Sequence, residues 1–271
     1  MFWADRINKV AGVTLLLLAL GLILNIVFLV SVGTSDPTQR GEIEEVLRDI
    51  NDNEALFFLG TGFSIATDAA ILLAAAAGLY LLFRDRSRLL ALFGFVGLVA
   101  GGIAFTIGDA GDLTLGILAQ DFVEEGGPGG IAAGDAMILQ SARAVGAFTG
   151  LTFQIGFTPI AFGLLAFGAL ITWAKVGTVN PPRWLGVLAI LTALAMLLSW
   201  IAAISTDVGN VIFLIANIGV LLFFIVLGGW LLMQPEAGGS GGSSDDDIGG
   251  PLRAAAPPAA ARPPPAARPV P

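Results

Sequence analysis

Long apolar runs and short polar intervals alternate along this chain. Six runs stand out, at 10–32, 56–83, 89–108, 150–174, 184–204 and 210–233. Each is long enough to cross a hydrocarbon core about 30 Å thick as a helix rising about 1.5 Å per residue. The first run exceeds the apolar region of a signal peptide and therefore reads as a span. The pattern predicts an all-α polytopic membrane protein, a six-transmembrane-helix bundle over residues 1–234. A tail of different composition follows at 235–271.

The polar intervals have patterns of their own. Residues 33–55 carry Glu42, Glu44, Glu45, Asp49, Asp52 and Glu54, with Ile43, Val46, Leu47 and Ile50 among them. Those four apolar residues fall at i, i+3, i+4 and i+7, one face of a short helix. Asp36-Pro37 upstream reads as a cap and first turn. Such a helix either lies on the outer rim of the protein or presents a face to a partner helix. Helix formers continue past the third run from Asp109 to Val123, and a helical pattern resumes from Ile131 to Ala147. The breaker Gly126-Gly127-Pro128-Gly129-Gly130 separates them. Spans three and four are therefore expected to continue outward as a helical hairpin. After Met233 the chain turns to Gly/Ser, then Asp245-Asp246-Asp247, then Ala, Pro and Arg. That composition cannot bury a core and predicts a disordered tail with polyproline segments, a second place where a protein partner could bind.

Composition narrows the chemistry. The 271 residues are 56% hydrophobic and 13% charged, about half the charged share of a soluble domain. There is no cysteine and no histidine. Disulfides, thiolate metal centres, histidine-ligated haem and Ser-His or Cys-His catalysis are therefore excluded. A net charge of −8 argues against nucleic acid as a partner. Ten of the thirteen basic residues fall at the N-terminus, the second and fourth loops and the tail. By the positive-inside rule both termini are expected in the cytoplasm. Trp3, Trp173, Trp184, Trp230 and Tyr80 lie near that same face, as interfacial aromatics do.

Polar residues inside apolar runs are the candidate sites, because a polar group in lipid is costly. Asp68 lies 15 residues from Phe83, Asn25 lies 16 from Lys9, and Asn217 lies 16 from Met233. At about 1.5 Å per residue all three fall about 22–24 Å from one membrane face. They are expected to form a polar layer of spans one, two and six, serving either as interhelical glue or as a proton or cation site. A second expected cluster is outer: Asp109 and Asp112, one helical turn apart, with Arg143 returning along the hairpin. It reads as a structural ion pair or as a paired-carboxylate site. Gly97–Gly101 and Gly146–Gly150 are small-xxx-small pairs that permit close helix approach, and Pro159 is expected to kink span four. Gly62-Phe63-Ser64 has no histidine to activate its serine. Glu44-Glu45-Val46-Leu47-Arg48 lacks the spacing and the histidines of a prenyl-protein protease. No nucleotide-binding glycine motif is present. No cofactor is expected.

Four stretches carry a family resemblance: Arg6-Ile-Asn-Lys-Val-Ala-Gly12, Ile50-Asn-Asp-Asn-Glu-Ala-Leu56, Pro182-Arg-Trp-Leu-Gly186 and Gly228-Gly-Trp-Leu-Leu232. Through them the chain resembles the bacterial six-span membrane proteins grouped as the domain of unknown function DUF4386. The resemblance covers nearly all of Arg6 to Trp230. It implies a six-helix fold in the bacterial inner membrane and supplies no activity. Family members often carry acidic and arginine residues about where Asp68 and Arg143 fall. They often show another acidic residue where this chain has Phe224. The expectation is an uncharacterised plasma-membrane protein, not an enzyme, that senses, scaffolds or binds a partner. The alternative is a small transporter or ion-coupled carrier built around Asp68.

Overall fold

The apolar runs become helices in the computed structural model, which describes residues 2–32, 43–125, 133–173, 180–203 and 208–234. In chain order these are α1 (Phe2–Val32), α2 (Ile43–Asp52) and α3 (Glu54–Ala66). The π-helical turn Thr67–Ile71 leads into α4 (Leu72–Phe83), followed by α5 (Arg88–Glu125), α6 (Ala133–Trp173), α7 (Arg183–Ala203) and α8 (Val208–Leu232). The described residues are all-α. Stretches Arg6–Phe28, Glu54–Phe83, Arg88–Glu124, Ala136–Trp173 and Leu214–Leu232 are long and apolar enough to cross a membrane, and Arg183–Ser199 is apolar but shorter. The protein is thus a multi-pass membrane protein. All six expected runs form helices over their described residues, and among those residues five stretches meet the length and apolarity of a full span.

The third and fourth runs grow well beyond their expected ends at 108 and 150. α5 has 38 residues and α6 has 41, about 57–62 Å at 1.5 Å per residue and twice a hydrocarbon core. They pack against each other as the hairpin that the pattern predicts, and α6 continues through Pro159 without a break. The glycine-rich turn at 126–130, the Asp36-Pro37 cap and the tail at 235–271 lie outside the described residues.

The spans close into a ring. Each packs on its neighbours in the chain, and α8 returns to α1. Glycines set how closely they approach. A Cβ on Gly12 would fall 2.9 Å from the Gly228 carbonyl oxygen, and one on Gly228 would fall 2.9 Å from that of Gly12. α1 and α8 therefore touch backbone to backbone, the approach that small residues allow in lipid. Gly97 and Gly101 do the same for α5, against the Pro159 and Gly156 carbonyl oxygens of α6. Gly146 does not, since nothing lies within 4 Å of where its Cβ would be.

Two apolar cores result. The membrane core gathers Leu15, Leu79, Phe83, Leu98, Phe167, Phe223 and Leu227 inside the ring. The outer core gathers Ile43, Val46, Leu47 and Ile50 of α2 with Phe57, Leu115, Phe122 and Ala142. α2 therefore spends its apolar face on the hairpin, while Glu44, Glu45 and Arg48 stay exposed. Asn53 alone separates α2 from α3; its N–H and its side-chain amide both donate to the Asp49 carbonyl oxygen, at 3.2 and 3.1 Å.

Candidate functional site

One face of the second span carries polar residues inward. Thr61, Ser64, Thr67 and Asp68 are all buried, on a stripe that begins at Phe57 and Gly60. Two of the hydroxyls are satisfied on their own helix, Thr61 to the Phe57 carbonyl at 3.0 Å and Thr67 to that of Phe63 at 2.9 Å. This back-bonding is how threonine hides its donor in an apolar surround. Ser64 differs because its hydroxyl reaches across to other helices.

Ser64 is the centre of a chain of hydrogen bonds through three spans. The Asn25 amide of α1 donates to Ser64 Oγ at 2.5 Å. Ser64 Oγ in turn donates to Oδ1 of Asp109 on α5 at 2.9 Å. Asp109 is 2% exposed, and its second oxygen, Oδ2, is buried without a hydrogen-bond partner among the described residues. Asp68, 8% exposed, lies close enough to Asp109 for the two carboxyl groups to interact electrostatically. Two carboxyl groups, a hydroxyl and an amide thus meet where α1, the second span and α5 pack together.

The backbone is unusual at the same place. Asp68 lies in the π-helical turn, where the Leu72 N–H bonds the Thr67 carbonyl instead of that of Asp68, the α-helical acceptor. Single π-turns inside α-helices occur frequently at functional sites. Glycines on both neighbours make room for the widened turn. A Cβ on Gly102 of α5 would fall 2.8 Å from the Asp68 carbonyl oxygen, and one on Gly21 of α1 would fall 2.5 Å from Thr67 Cγ2.

The structure regroups the residues singled out by sequence. Asn25 and Asp68 come to one site, joined through Ser64. Asn217 is half-buried on α8, which packs on α1 and α7 and not on the second span. Asp109, expected in the outer cluster, turns inward and joins the intramembrane site. Asp112 remains half-buried and Arg143 exposed on the hairpin. The residue that sequence reasoning missed is Ser64, considered there only as a nucleophile. Its signal was its place one α-turn before Asp68.

The donor set limits what the site can hold. Among the described residues no group of three or more acidic side chains could hold a metal ion. The donors gathered here, two carboxyl groups with a hydroxyl and an amide, are hard oxygen and amide groups with no thiolate or imidazole among them.

Residues 10–234 match the family model described as Domain of unknown function (DUF4386), and the chain belongs to that family. No curated protein and no solved structure matches the chain.

Proposed function

We propose, starting from that membership, that this member of the family is a small ion-coupled carrier of the bacterial inner membrane, with both termini in the cytoplasm. Its coupling site is the Asp68–Asp109 carboxyl pair, with Ser64 and Asn25 as the positioning hydrogen-bond relay. The observation that carries the proposal is Oδ2 of Asp109, buried without a hydrogen-bond partner among the described residues and within electrostatic reach of a second carboxyl group. A buried pair of acids with no basic residue bonded to it among the described residues calls for a counter-charge, which an arriving proton or small cation supplies. Intramembrane carboxyl groups of pumps and transporters serve as relays for this reason. The π-turn adds a local element able to change its hydrogen-bond pattern as the cation comes and goes.

Infrared difference spectroscopy of the full chain in lipid nanodiscs, stepped in pH and then in sodium concentration, tests this. The expected result is a carboxyl band that changes with one of the two cations in the wild type. It should be altered in Asp109→Asn and in Asp68→Asn and absent when both are replaced. A spectrum insensitive to pH and sodium, or a response that survives the double replacement, refutes the reading.

A further inference from the structure

The described surface also holds a groove, away from the carboxyl pair. It encloses about 570 Å³, with α6 as its floor from Pro159 through Ala166 and Ala169 to Trp173. Leu90, Phe93, Gly97 and Ala100 of α5 form one wall, and Ile190 of α7 the other. Its depth follows from small side chains. Gly97 lies so close to α6 that a Cβ would fall 2.5 Å from the Pro159 carbonyl oxygen. Ala100, Ala166 and Ala169 add little bulk, while Phe93 and Phe162 stand out along it, 64% and 57% exposed.

One end of the groove is polar and basic. Arg86, in the turn between α4 and α5, donates to the Leu170 carbonyl and to Asn180 Oδ1, both at 2.8 Å. Its guanidinium also lies over the Phe83 ring, 5.3 Å from the centroid. Burial lowers its pKa from the ordinary arginine value, and the two oxygen acceptors favour the charged form that holds the corner together. This clasp fixes the start of α5 beside the end of α6 and the lead into α7. Arg183, at the first turn of α7 and seven residues before Ile190 on the same helix face, is therefore brought to this end of the groove and is exposed. Trp173 and Trp184, 70% and 56% exposed, lie at the same end, as aromatic residues do at a headgroup level. Asp85, in the same turn as Arg86, lies 3.9 Å from Arg84 Nε.

We infer that this groove binds a phospholipid with an anionic headgroup, one acyl chain lying over α6 and the phosphate on Arg183. Length agrees with that occupant. From Pro159 to Trp173 the floor runs 14 residues, about 21 Å at 1.5 Å per residue. One leaflet's share of a hydrocarbon core is about 15 Å, so the floor holds a chain and still reaches the headgroup level. Charge agrees too: guanidinium groups bind phosphate oxygens through paired N–H donors, and basic groups at a membrane face select anionic lipids.

Tryptophan quenching by bromine-labelled lipids tests this in the full chain. Vesicles containing bromine-labelled phosphatidylglycerol are compared with vesicles containing bromine-labelled phosphatidylethanolamine of the same chains. The wild type should reach half-maximal quenching at roughly a tenfold lower mole fraction of the anionic lipid. Arg183→Gln should bring the preference to about twofold or less, still quenched by both lipids at high mole fraction. Ala100→Phe, a lipid-facing change that fills the groove, should weaken quenching by both lipids. Equal quenching by the two lipids in the wild type overturns the inference, as does a preference unmoved by Arg183→Gln. Quenching unmoved by Ala100→Phe overturns it too, as does a groove shielded from both lipids by a second copy of the chain, which crosslinking would reveal. None of these outcomes depends on the carboxyl pair, so the coupling reading stands or falls separately.

Discussion

The outer core and the intramembrane carboxyl site are both built from α-helices of the same chain, yet they are held by opposite means. In the outer core, α2 faces water on one side, and its four apolar residues are all buried against the hairpin. Removal from water drives that packing. Inside the membrane, lipid and protein interior are equally apolar, so burial distinguishes them little. There the specificity comes from glycine contacts and from the Asn25–Ser64–Asp109 chain. The same side-chain change should therefore cost different amounts in the two regions.

The largest expected effect is in the outer core. Leu47→Ala, at a fully buried position, should destabilise the protein by about 2–5 kcal/mol, measured as a loss of thermal stability in nanodiscs. Leu20→Ala, on the half-exposed lipid face of α1, should cost well under half as much. Equal losses would break the comparison. Next in size is Ser64→Ala, which removes a hydroxyl bonded to two other spans and should cost about 0.6–2 kcal/mol. Ser64→Thr should retain part of that, provided that the added methyl fits. The smallest effect belongs to the exposed Arg48–Glu44 pair of α2, 2.6 Å apart. Arg48→Ala should change stability by no more than about 0.5 kcal/mol, and less in high salt.

The same contrast governs what the sequence could tell. α2 was readable because water on one face and protein on the other write a 3.6-residue period, and Ile43, Val46, Leu47 and Ile50 keep it. The spans were readable as spans because lipid demands apolar residues on every side. For that same reason their inward faces were not readable: Leu20 and Leu18 look alike, yet one is half-exposed and the other buried. Asp109 was misplaced through this ambiguity. It follows the apolar run that ends at Gly108, so it looked like the first residue of the outward helical extension, facing the returning hairpin arm. In the structure the helix continues to Glu125, and Asp109 is an interior residue 21 positions after Arg88. The apolar groove escaped notice as well, since its floor and walls come from three separated segments. The π-turn had no local signal, because Thr67–Ile71 contains nothing that a regular helix would reject.

That turn makes the second span a helix with one residue more than its regular winding would take up. An α-helix advances about 100° per residue. Rewinding Thr67–Ile71 into α-helix with the same residues would rotate Glu54–Ala66 by about that angle relative to Leu72–Phe83, carrying Ser64 away from Asp109. Deleting one residue, such as the exposed Ala70, would give regular winding while leaving both halves facing as they do now. The extra residue therefore stores a phase difference between the two halves of one span, and the carboxyl site lies where that phase is set.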